Sequence, residues 1–238
     1  MYQITLGTDK SYCEWISVLA PRIKNRIKTS IVVVEENGER VYLGVALKNK
    51  GEADKIIQSI LYDFFLKDVK AEYLYSTIKR YDANEFLVQV YVKILKRFNT
   101  FDERQVLAES LVLHSNFSLD GFYKFKLASL KEKWNELLNL TYNNLDLLMD
   151  ENSFSLLIEN LISCLPLSFN CGLLNCLGEN YVLQFDDGDE IMLKNEEDVV
   201  FTIVENLPEK LKIPRCMSNK ALLCKLKTIF GCDFVQII

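Results

Sequence analysis

The chain has one histidine, four prolines and nine glycines in 238 residues, and none of its seven cysteines forms a C-x-x-C pair. A single imidazole, His114, excludes an H-E-x-x-H zinc site and any multi-histidine metal centre. The glycines never form a G-x-G pair, which excludes the dinucleotide fingerprint, and no G-x-x-x-x-G-K phosphate loop occurs. The most apolar window, "FSLLIENLISCLPLSF" (154–169), is broken by Glu159, Asn160 and Pro166. It falls short of the about 20 apolar residues that a membrane-crossing helix needs. The opening "MYQITLGTDK" lacks the basic and apolar regions of a secretory signal, so the expected location is the cytoplasm, with reduced thiols. Cys164, Cys171 and Cys176, and then Cys216, Cys224 and Cys232, follow no zinc-ribbon spacing; apolar packing is expected of them, and neither metal nor cofactor.

What is present is folded-domain composition, 49% apolar and 26% charged, which excludes a disordered chain. The net charge of -5 gives no long-range attraction to phosphates. Tyr2, Ile4 and Leu6 alternate as a strand, and Ser11 with Glu14 has the spacing of a capping box for a helix that Pro21 kinks or interrupts. "SIVVVEENGERVYLGVAL" (30–47) predicts a hairpin with a type I′ turn at Asn37-Gly38.

Helices follow. Ala53, Ile57, Ile60, Leu61 and Phe64 form one stripe, and Asp82 to Glu85 opens a helix carrying Phe86, Val90, Tyr91, Ile94 and Phe98. Thr100 to Glu103 has capping-box spacing before Val106, Leu107 and Leu111, and these helices are expected to bundle. The last third predicts three short strands within 173–193 and a helix capped by Asn195 and stopped by Pro208. The strand "KLKIP", a helix over 219–230 and the strand "DFVQII" close the chain as a parallel strand–helix–strand unit. The predicted class is α+β: a helical middle bracketed by small α/β pieces, with a β-hairpin near the N-terminus and a mixed sheet at the C-terminus. The chain divides into 1–100 and 101–238, either as two domains or as one continuous domain.

"NFSLDGFYKFKLASLKEKW" (116–134) crowds aromatic residues and lysines around Asp120-Gly121. Ser118 is a good N-cap, with Phe117 and Phe122 at hydrophobic-staple spacing. Leu119, Phe122, Leu127, Leu130, Trp134, Leu137, Leu138, Thr141, Leu145 and Leu148 then predict an amphipathic helix of about eight turns. Lys124, Lys126, Lys131 and Lys133 form its solvated side. A partner or phosphate site at the helix start is the alternative, and Asp120 opposes an anion there.

Two runs are basic. "PRIKNRIK" (21–28) has no acid, and 208–227 carries Lys210, Lys212, Arg215, Lys220, Lys225 and Lys227 against Glu209. On one face they would track a phosphate backbone or an anionic membrane, but they lack aromatic residues suited to base stacking. The four carboxylates of "FDDGDE" (185–190) are expected to diverge around a turn rather than converge on a site.

"DGFYKFKL" (120–127), "LLNCLGENYVLQFDDGDEI", "LPEKLKIP" and "KTIFGCDFVQI" occur in the order found in the YtxC-like family of sporulation proteins. Over about residues 105–238 the chain resembles that family. Lys126 stands where the family segment carries arginine, so a bidentate planar contact is not expected at that position. The resemblance implies a cytoplasmic protein linked to endospore formation and implies no reaction.

The leading expectation is a non-enzymatic interaction or regulatory protein with an unidentified protein partner. A nucleic-acid- or anionic-lipid-binding protein using 21–28 and 208–227 is the runner-up. A hydrolase using dispersed carboxylates is a third class. The candidate binding residues are Phe122, Phe125, Lys126, Lys210, Lys212 and Arg215; no catalytic residue and no metal ligand is assigned.

Overall fold

The computed structural model describes residues 2–47, 50–81, 84–143, 151–217 and 220–238. The fold is α+β with two separate sheets, and the chain forms two compact units, each drawn from two stretches of sequence. The first unit contains residues 1–72 and 99–136, and the second contains 73–98 and 137–238.

The first unit is built on strands β1 (Tyr2–Asp9), β2 (Ile31–Asn37), β3 (Arg40–Leu47) and β4 (Asn116–Ser118), in the order β2-β3-β1-β4. β1 and β3 are antiparallel with Leu6 opposite Leu43, while β4 lies parallel to β1. Period-two alternation puts Ile4, Leu6, Val41, Leu43, Val45 and Leu47 on one buried face. Helix α1 (Cys13–Arg26) contacts β1, β2 and β3 and adds Trp15, Ile16, Leu19 and Ile23 to this core. Gln3, Thr5, Tyr42, Gly44 and Ala46 occupy the other face and stay partly or wholly exposed. Helix α2 (Lys50–Asp63) buries Ile57, Ile60 and Leu61, with Phe64 just beyond it; the Ala53 side chain lies outside the described residues.

Several local expectations are corrected here. Asp9, not Ser11, caps the first helical turn: its carboxylate accepts from the Ser11 N–H and hydroxyl, and a short 3₁₀ turn precedes α1. Pro21 does not interrupt α1, which runs on to Arg26. The hairpin pairs Asn37 with Arg40, so the turn residues are Gly38-Glu39. Only Gly38 has positive φ (58°), which fits a type II′ turn, where glycine takes the first central position.

In the second unit, strands β5 (Phe169–Leu177), β6 (Asn180–Phe185), β7 (Glu190–Leu193), β8 (Pro208–Ile213) and β9 (Val235–Ile237) are ordered β7-β6-β5-β8-β9. β5, β8 and β9 are parallel neighbours, and β5-β6-β7 is an antiparallel meander. Helices α4 (Glu85–Leu95), α8 (Glu151–Ser163), α9 (Glu196–Asn206) and α10 (Lys220–Phe230) pack among themselves and with the sheet. Asn195 caps α9 by accepting from the Asp198 N–H, and Leu207 (φ 39°) closes it before Pro208 begins β8. Gly231 ends α10 at φ 86°, a conformation that L-residues with a Cβ avoid.

Asn84 caps α4 by accepting from Phe86 and Leu87; Asp82 lies outside the described residues. Of the middle helices, α2 and α5 (Thr100–Ser110) belong to the first unit, α3 (Lys70–Ile78) divides between the units after Glu72, and α4 belongs to the second. No helix among the described residues is long and apolar enough to cross a membrane.

Candidate interaction site

The segment 116–131 is not the start of one continuous helix. Ser118 caps a single turn, α6 (Leu119–Gly121), and its hydroxyl accepts from the Gly121 N–H. A π-helical turn (Phe122–Lys126) follows, Leu127 leaves helical geometry, and α7 (Ala128–Tyr142) begins anew; Leu145 and Leu148 lie outside the described residues. The cause is spacing. Phe122 and Leu127 are five residues apart, so a regular α-helix would point them about 140° apart. The wider π turn absorbs the extra residue and lets both side chains enter the core.

Phe122, expected as a binding residue, is therefore a core residue at 6% exposure. The staple forms as expected, with the Phe117 and Phe122 rings 5.3 Å apart. Phe122 also meets Phe65 at 5.1 Å, and the contacts continue through Phe64 to Trp15, and from Trp15 to Tyr123 at 5.4 Å and Tyr12 at 4.4 Å. An aromatic chain thus runs from the core to the half-buried rings of Tyr12 and Tyr123. Anchored by it, the π turn turns Phe125 outward to 80% exposure, between exposed Lys124 and Lys126.

The charges around the turn are unequally committed. Arg40 donates to Asp120 at 2.9 Å, and the Ser118 hydroxyl donates to the same oxygen at 2.8 Å. Burial opposes ionisation of Asp120, but these hydrogen bonds and the guanidinium charge outweigh it and hold the carboxyl below its ordinary pKa. The Lys131 ammonium sits 3.8 Å from the Tyr123 ring centroid and that of Lys124 5.4 Å from Tyr12. Desolvation and the like charge of Lys124 lower the Lys131 pKa. Two crowded ammonium groups over aromatic faces form a cationic rim that an acidic group would relieve.

Lys210 and Lys212 project from the open face of the second sheet, beside Cys171, Leu173 and Gln236. Arg215 is exposed past the end of β8, its backbone N–H bonded to the Ile238 carbonyl. The run 21–28 is partly spent. Arg22 makes a bidentate pair with Asp68 at 2.5 and 2.8 Å, and Arg26 lies 4.0 Å from Asp63. Around the acidic turn, Asp186 accepts from the Cys171 N–H and Asp187 from the Asp189 N–H, so these carboxylates serve local structure.

The cysteines are unpaired, but the expectation that they are buried fails: six are exposed and Cys171 is intermediate. Cys13, Cys171, Cys176 and Cys224 occupy outward positions of their elements, and Cys164, Cys216 and Cys232 lie in turns. A hollow of about 320 Å³ beside α4 and α10 is lined by Phe86, Leu87, Phe154, Ile229 and Lys225, with no carboxylate among the described residues that line it. His114 is exposed in the connection after α5.

Sequence reasoning missed Tyr12, Tyr123 and Lys131 as one cluster, since Tyr12 joins it from the other end of the unit. It also misread Glu103. That residue is not a capping-box partner but a fully buried carboxylate, bonded through both oxygens to Lys70 at 2.8 Å and accepting from Trp134 Nε1 at 3.1 Å. Comparison of this chain with protein-family models, curated proteins and solved structures gives no match.

Proposed function

We propose that this chain is a non-enzymatic, cytoplasmic interaction or regulatory protein associated with sporulation, and that its partner docks on the π turn around Phe125. The observation that carries the reading is the pairing of an 80% exposed phenylalanine with a rigid base: Phe125 projects while Phe122, three residues away, is locked in the core. An exposed aromatic residue on a pre-ordered turn loses little conformational freedom on binding, the property of an interface anchor. Lys124, Lys126 and Lys131 around it favour a partner with an apolar pocket rimmed by acidic residues. The resemblance of 105–238 to the YtxC-like family supplies the link to spore formation.

The test is affinity capture from sporulating cells after nuclease treatment and at moderate salt. The wild-type chain should recover one specific protein, and Phe125→Ala with Lys126→Glu should lose it while keeping the fold. Equal recovery by that variant removes the turn from the account.

Lys210 and Lys212, side by side with exposed ammonium groups on one sheet face, favour a second reading as a nucleic-acid or anionic-lipid surface. Such binding would weaken steeply with salt and disappear on charge reversal at Lys210, Lys212 and Arg215.

A further inference from the structure

The four sheet edges among the described residues are not alike. β4 and β9 have three residues and β7 has four, short enough to offer little to a foreign strand, whereas β2 has seven. β2 is also exposed along its length, with Ile31, Val33 and Val34 at 63%, 57% and 52%. No proline, lysine or glycine lies within it. The two-residue turn fixes which backbone groups are free. Asn37 faces Arg40 as the hydrogen-bonded pair closing the hairpin, so alternation gives Glu35, Val33 and Ile31 to β3. The N–H and C=O of Val32, Val34 and Glu36 point away from β3.

We propose that β2 is a self-association strand, through which two copies of this chain pair edge to edge and antiparallel about a two-fold axis at Val33. Charge selects the direction. Lys28 precedes the apolar run and Glu35 and Glu36 follow it, so an antiparallel copy brings each lysine end beside the other's acidic end. A parallel copy would set acid beside acid. The backbone restricts the register to a two-fold on a residue rather than between residues, because only even-numbered residues face outward and they must pair with one another. A two-fold at Val33 sets Val33 against itself and Val32 against Val34. A two-fold at Val34 would lay both glutamates of each copy over valines, where the Val33 register lays only Glu35 over Ile31, and one at Val32 would leave only 31–33 paired, since the strand begins at Ile31. Two four-stranded sheets then become one of eight, and the isologous contact closes at two copies because each copy's long edge is consumed. This inference is independent of the Phe125 surface.

Sedimentation velocity of the full chain across micromolar concentrations tests it. The wild type should shift from monomer to dimer and stop there. Val34→Pro removes only an outward N–H and should weaken the dimer by about tenfold or more. Val33→Lys, at an already exposed position, should do the same if the proline variant fails to fold. Val33→Cys should give a disulfide-linked dimer, mapped by mass spectrometry to residue 33 of both copies, because directly opposed strand residues lie within disulfide reach. A monomer at every concentration, assembly beyond two copies, or a dimer unaffected by both Val34→Pro and Val33→Lys overturns the proposal.

Discussion

In the first unit a fully buried polar contact is ionic, Lys70 against Glu103, whereas in the second a buried contact is the neutral hydrogen bond between Thr141 and Tyr91 at 3.1 Å. Both units build a sheet with helices against one face and leave the other face partly open. They differ in what they hide. Burial pushes the Lys70 pKa down and the Glu103 pKa up, each partner opposing the shift of the other. A second π turn (Phe64–Val69) stands immediately before Lys70, whose N–H reaches back to the Phe65 carbonyl; the wide turn carries the lysine inward. The first unit therefore holds its two π turns next to its internal charge and its exposed Phe125 ring. Among the described residues the second has no π turn, and it shows Lys210 and Lys212 on its open sheet face. Similar layering can thus support different surfaces, and function is to be sought in the surfaces.

The largest expected effect breaks the ionic side of this comparison. Lys70→Ala leaves Glu103 buried without its cation and should cost about 3–5 kcal/mol in urea melts. Lys70→Met with Glu103→Leu should recover most of that loss, since the isolated charge and not the missing attraction is what destabilises. Phe122→Ala should cost about 3–5 kcal/mol as a core truncation. Phe125→Ala should stay within about 0.5 kcal/mol, as at ordinary surface positions. Equal losses at the two would erase the distinction between the buried base, Phe122, and the displayed ring, Phe125. On the neutral side, Tyr91→Phe should cost only about 1 kcal/mol, because Thr141 retains the Leu137 carbonyl as acceptor.

The smallest effects are electrostatic. Asp120 in the first unit and Glu205 in the second both have pKa values below the ordinary carboxylate range. In each, burial is outweighed, for Asp120 by Ser118 and Arg40, for Glu205 by Lys93 and Lys96. A depressed folded-state pKa adds stability that is present above the unfolded value and is lost as pH falls through the folded one. Stability should therefore drop on acidification below about pH 4. Asp120→Asn should flatten that slope more than Glu205→Gln, because Glu205 is more exposed and solvent screens it.

The sequence showed the elements better than their grouping. Local rules placed the hairpin, the Asn195 cap, the Phe117–Phe122 staple and the closing strand–helix–strand, since each depends on residues within one or two turns. Glu103 was misread for the same reason: Thr100 and Glu103 satisfy a local spacing, but the partner that claims the carboxylate lies 33 residues earlier. The π turn left no periodic signal, because "FYKF" offers apolar residues to either geometry. Nor could composition show that 99–136 joins residues 1–72, as a three-residue parallel strand, β4, places it there.

The central claim is that the Phe125 turn, and not the basic face of the second sheet, meets the partner. A photo-crosslinking amino acid placed at position 125, and in a separate sample at position 212, tests it in sporulating cells. The account predicts a discrete protein adduct from position 125 and none from 212. An adduct only from 212, whether protein, nucleic acid or lipid, contradicts it.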